Sequence, residues 1–184
     1  MKHLRFSTAR QVIEAFPNLR GEFAGCNLEL EPFAFIDSLI AQGSARQAMA
    51  FCAFVLSRRD AVQWLCQTLR QQAQQLSGTD ATLLRLAEEW LKKPIEATRR
   101  AALDGGMADP IKGACAWAAL AAGWSGGNLS PNTEQPVPPP QHLTGHAVNV
   151  GLTLLAAGLP LGKQRDKMEE LVGDAVTLLR RGTS

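Results

Sequence analysis

Spacing constrains this chain most. Apolar residues recur every three or four positions along almost its whole length, alternating patterns are absent, and Thr, Val and Ile are sparse, so the period is helical. Prolines and glycines punctuate the pattern. Ala9, Val12, Ile13 and Phe16 form one stripe behind the cap candidates Ser7 and Thr8, and Pro17 stops it. Pro32 opens a second stripe of Phe33, Ile36, Leu39 and Ile40 that ends at Gly43, and Ser44 is placed to cap a third. That third helix, through Leu56, is apolar all round and belongs in the middle of the domain.

A fourth helix starts near Asp60 and carries Val62, Leu65, Cys66, Leu69, Ala73 and Leu76 on one face until Gly78 breaks it. Leu83, Leu86, Ala87, Trp90 and Leu91 make a fifth after the caps Thr79 and Asp80, and Pro94 marks the start of a weakly patterned sixth. Asp109-Pro110 reads as a cap and first-turn proline for an alanine-rich seventh containing Trp117, buried on nearly all sides. An eighth runs from about Leu143 to Ala157; a ninth, with Met168, Leu171, Val172, Ala175, Leu178 and Leu179 on one face, ends at Gly182.

Residues 1–184 thus read as a single all-α domain: an irregular bundle of about nine helices built from antiparallel hairpins, with solenoid-like stacking as the alternative. Trp64, Trp90, Trp117 and Trp124 do not recur in register, which argues against a true repeat array. At 46% apolar and 20% charged residues, the chain can build a real core and is not a disordered one.

Between 125 and 141 the composition changes. Gly126, Gly127, Asn128, Ser130, Pro131 and Asn132 are followed by Pro136, Pro138, Pro139 and Pro140, so no regular element survives, and the segment reads as a strap laid over two helices or as a partner contact.

Nineteen Lys and Arg against 17 Asp and Glu give a formal charge of +2, too balanced for a dedicated nucleic-acid binder. Cys26, Cys52, Cys66 and Cys115 are too scattered for a zinc ribbon or a redox pair. Three of them sit among apolar residues, which fits free thiols in a reducing compartment. No apolar stretch follows the basic start Met1-Lys2-His3, so a cytoplasmic location is expected. The most apolar runs, Gly113 to Trp124 and Ala147 to Leu161, fall short of the roughly 20 residues that a membrane span needs.

Chemistry-bearing patterns are few. His142 and His146, four apart, could share one side of a helix as in zinc hydrolases, but the segment His-Leu-Thr-Gly-His lacks the general-base glutamate and a third ligand at a recognised offset. The two are expected to form a solvated polar stripe with Asn149 and Thr153; a metal-dependent hydrolase using them is the alternative. Gly158 to Lys163 lacks the spacing of a phosphate loop. Trp64 falls roughly 200° from Val62 on the helical wheel, among Gln67, Thr68 and Gln71, so either another helix covers it or it anchors a partner. Arg58 and Arg59, with Arg99 and Arg100, are expected as solvated ion pairs that could add register at the rim of an interface. No catalytic residue, cofactor site or metal site is assigned.

Several strings together resemble an uncharacterised bacterial all-helical family: Ala9-Arg10-Gln11-Val12, Pro32-Phe33-Ala34-Phe35, Ser57 to Trp64, Trp117-Ala118-Ala119-Leu120, Trp124-Ser125-Gly126-Gly127 and Pro138-Pro139-Pro140-Gln141-His142-Leu143-Thr144. Members of that family are often encoded near type VI secretion effector modules. The resemblance implies a context and no activity: a non-enzymatic interaction module, an adaptor, chaperone or accessory protein for a secreted effector or for the secretion apparatus. An immunity protein for a toxin is a further option, and self-association another. The residues nominated for partner binding are Arg58, Arg59, Trp64, Trp124, Gly126, Gly127, Pro138, Pro139, His142 and His146.

Overall fold

Two stretches of this chain have almost no face left for solvent, and the other helices are arranged around them. Residues Ala48 to Leu56 are buried without exception, and so are Cys115 to Gly123 apart from Trp117. In the computed structural model, which describes residues 4–130 and 134–182, nine α-helices and two short 3-10 turns occur among the described residues. The helices are α1 (Ala9–Ala15), α2 (Pro32–Ala41), α3 (Ala45–Val55), α4 (Arg58–Gln71), α5 (Gly78–Lys92), α6 (Glu96–Ala108), α7 (Ala114–Gly123), α8 (Leu143–Ala157) and α9 (Leu161–Gly182).

The fold is all-α, and it is an irregular bundle. Neighbouring pairs such as α4 with α5, α5 with α6 and α6 with α7 pack as hairpins, but α3 also meets α8 and α9, and α7 meets α4, α5 and α8. A solenoid, in which each unit touches only its neighbours, has no such closure.

On the α3 side the core is aromatic. Phe23, Phe35 and Phe51 form a triangle with ring centroids 4.7 to 5.9 Å apart, tilted or edge to face. Such pairs add about 0.5–1.5 kcal/mol each beyond area burial. On the α7 side the core is made of small residues. A Cβ at Gly123 would fall 2.6 Å from Leu103 Cα on α6, and one at Gly106 would fall 3.0 Å from Ala116 O on α7, so glycine allows these two backbones to touch. α8 uses the same device: a Cβ at Gly145 would lie 2.9 Å from Ala53 O on α3.

Most helix ends are where punctuation places them, and the exceptions have local causes. Gly78 does not end the fourth helix; it is the first residue of α5, because Ser77 caps that helix. Ser77 Oγ accepts the Asp80 N–H at 3.1 Å and donates to Asp80 Oδ2 at 2.7 Å. Ser57 and Asp60 repeat this pairing, so α4 starts at Arg58. Ser44 stands at the N-cap of α3 but makes no capping bond. Asp109-Pro110 does not open α7: Asp109 closes α6, its carboxylate accepts the Lys112 N–H at 3.0 Å, and Lys112 sits at φ 55° before α7 begins at Ala114. α9 begins at Leu161, well before its apolar stripe, with Arg165 and Asp166 exposed along its first turns.

No helix is long and apolar enough to cross a membrane among the described residues.

Candidate functional site

The strap is held from α4 and α6. Arg99 on α6 is 3% exposed, and every branch of its guanidinium is used. Nε donates to Glu96 Oε2 at 2.7 Å, Nη2 bonds both Glu96 Oε1 and Asn128 O, and Nη1 donates to Gly123 O. Gly123 O is one of the carbonyls that the last turn of α7 leaves without a helical partner, so a buried cation completes the helix end and meets its negative pole. Arg100 Nη2 donates to Asn128 O at 2.6 Å, and Arg58 Nη1 on α4 donates to Ser125 O at 2.9 Å. Three arginines therefore hold 123–128 by its backbone. Glu96 is held below its usual pKa, first through its hydrogen bond to Arg99 and then through the charge of that residue and of Arg100.

Beyond the clamp the strap folds back. Leu129 N–H donates to Val137 O at 2.8 Å, while Asn128 Oδ1 accepts both the Ser130 and the Val137 N–H. Pro140 O accepts the Leu143 N–H and leads into α8. Pro131 and Asn132, part of the sequence-predicted loop, lie outside the described residues.

Where the strap leaves α7, three rings meet. The Trp117 centroid is 6.3 Å from that of Trp124 and 6.1 Å from that of His146, both edge to face. Both tryptophans are half-buried and His146 is exposed, so the three form an aromatic shelf at the surface between α7 and α8. His142 is half-buried one turn earlier. Trp124, His146, Gly126 and Gly127 are thus brought to one region, and Pro138 is exposed on the return leg of the strap. Trp117 was read as core; its exposure was not foreseen, and the signal was its place as the one bulky ring on an alanine helix.

Two nominations and one expectation need correction. Trp64 is 1% exposed: α9 covers it, with Asp174, Thr177, Leu178 and Arg181 lining the adjoining cleft, so it offers no free surface. Pro139 is buried and serves to seat the strap. The arginine pairs are not simply solvated, since Arg58, Arg99 and Arg100 bind backbone carbonyls, and Arg59 Nη2 donates to Leu91 O at 2.7 Å.

The histidine spacing has its own explanation. Gly145 lets α8 approach α3, and His146 turns away toward Trp117. Among the described residues no three His, Cys, Asp or Glu side chains gather as a metal would require. All four cysteines are free; burial pushes the Cys52 and Cys115 thiols up to about 12 and raises Cys66 further.

One surface escaped the sequence reading altogether. Leu83, Leu86, Ala108 and Pro110 line a groove of about 630 Å³ between α5 and α6, beyond which Met107 is 58% and Ile111 86% exposed.

No curated protein and no solved structure matches the chain. Residues 35–179, which take in α3 to α8, most of α9, the arginine clamp and the shelf, match DUF6931, a family of unknown function. The chain belongs to that family.

Proposed function

We propose that this chain is a non-enzymatic protein-interaction module, acting in the bacterial cytoplasm as an adaptor or chaperone for an effector of a type VI secretion cluster. The observation that carries the reading is the Arg99 clamp, which fixes an irregular surface segment beside two half-buried tryptophans. An aromatic patch on a rigid support is the usual make-up of an interface hot spot, because tryptophan contributes contact area without much ordering cost. Arg58 and Arg100 would serve the interface indirectly, by holding the strap in register.

The test is co-expression with the products of neighbouring genes, followed by affinity purification. An effector is expected to co-purify with the wild-type chain and to be lost with Trp124→Ala and with the surface change His146→Glu, while both variants keep the wild-type melting profile. Failure of every neighbouring product to co-purify overturns the proposal.

A further inference from the structure

A second surface lies between α4 and α5. Arg59, Gln63, Gln67 and Gln71 recur every four residues along α4, and all four line the cleft between α4 and α5. Its two parts, about 580 and 330 Å³, share Gln63, Arg70, Glu88 and Leu91 and form one groove. Half-buried Leu91 supplies its apolar surface, with the buried Cys66 beneath it.

Its charge is one-sided. Arg59, Arg70 and Lys92 face a single carboxylate, Glu88, which Arg70 already neutralises in a forked ion pair. Arg59 uses one N–H on Leu91 O, and Lys92 is exposed. Two cations at the α4 N-terminal end are therefore free of a carboxylate partner among the described residues, while the three glutamines offer a row of amide donors and acceptors.

We propose that this groove binds an extended acidic peptide segment of a protein partner. Carboxylates would meet Arg59 and Lys92, the peptide backbone would run along Gln63, Gln67 and Gln71, and an apolar side chain would rest on Leu91. From Arg59 to Gln71 the helix rises about 18 Å, which an extended strand of about five or six residues matches. This rests on the reading of the chain as an interaction module but uses a face remote in sequence from the shelf.

The experiment uses the full chain on an array of six-residue peptides in which each position is varied over acidic, basic, apolar and amide side chains. Peptides combining two or three carboxylates with apolar residues should be retained at low salt. Replacing Glu and Asp by Gln and Asn, or using the Arg59→Gln/Lys92→Glu variant, should weaken binding at least tenfold. Trp124→Ala should leave it unchanged, so that failure here and failure of the shelf reading are separable. Equal retention of acidic, neutral and basic peptides overturns the inference. So does binding of a single-stranded 12-mer DNA or of inorganic phosphate with no acidic peptide retained.

Discussion

Gly127 lies against the Arg99 guanidinium so closely that a Cβ there would fall 2.6 Å from Glu96 Oε2 and nearer still to Arg99 Nε. Its φ of +70° is also one that side chains resist. Gly127→Ala should therefore strain the turn and push apart an ion pair at once, lowering stability by about 2–3 kcal/mol. Urea unfolding would measure it. Gly126, with open space around the same position, should accept alanine within about 0.5 kcal/mol.

Removing Arg99 leaves the carbonyls of Gly123 and Asn128 without their donor, and Arg99→Ala is expected to cost about 2–4 kcal/mol. Arg99→Lys should recover less than half of that, since a single ammonium cannot reach Glu96 and two carbonyls together. The pH dependence has a definite sign. Glu96 has a lowered folded pKa, so its contribution is present above the unfolded value of 4.5 and is lost as pH falls through the folded one. Urea midpoints of wild type and Arg99→Ala should draw closer as pH falls below 4.5, without meeting, because the carbonyl bonds do not titrate.

The two glycines within α8 and Gly158 at its C-cap should rank by what they touch. Gly145→Ala meets the rigid backbone oxygen of Ala53 and the Phe54 ring, and should destabilise by about 2–3 kcal/mol. Gly151→Ala meets chiefly the end of the Leu65 side chain, which can turn aside, and should cost about 1 kcal/mol. Gly158→Ala, in ordinary contact, should be nearly neutral. Thermal melts of the three would settle the order, at about 2–4 °C per kcal/mol for a chain of this size.

Trp64 has a buried indole N–H with no partner among the described residues. Trp64→Phe removes that orphan donor while keeping most of the packing, and should change stability by less than about 1 kcal/mol; Trp64→Ala should cost about 3–5 kcal/mol. Any loss of partner binding in Trp64→Ala should thus track unfolding, seen by circular dichroism, and be absent in Trp64→Phe.

Period and punctuation made the helices legible, down to the limits of α8 and the buried run in α3. Trp64 shows where that stopped. The wheel of α4 correctly put it off the main stripe, but only the return of α9, about a hundred residues later, decides that it is covered. The clamp was hidden for a similar reason: Arg99 and Asn128 are 29 apart in sequence, and nothing local marks an arginine as a carbonyl donor. The cap of α5 was placed at Thr79 and Asp80, but Ser77 holds it, with Asp80 as its partner rather than as the cap.

Thiol reactivity should split sharply. At pH 8, Cys26 should be the only thiol labelled quickly by a disulfide reagent in the native protein, because Cys52, Cys66 and Cys115 are buried and raised well above that pH. Four should react in denaturant. Rapid native labelling of two or more would contradict the packing described above.

α7 takes three of its walls from helices that precede it and one from α8, which lies beyond the strap. During synthesis its alanine-lined side therefore stays wet until α8 is complete at Ala157, 34 residues after the end of α7 at Gly123, and a nascent chain halted before Leu143 should present that open flank to chaperones.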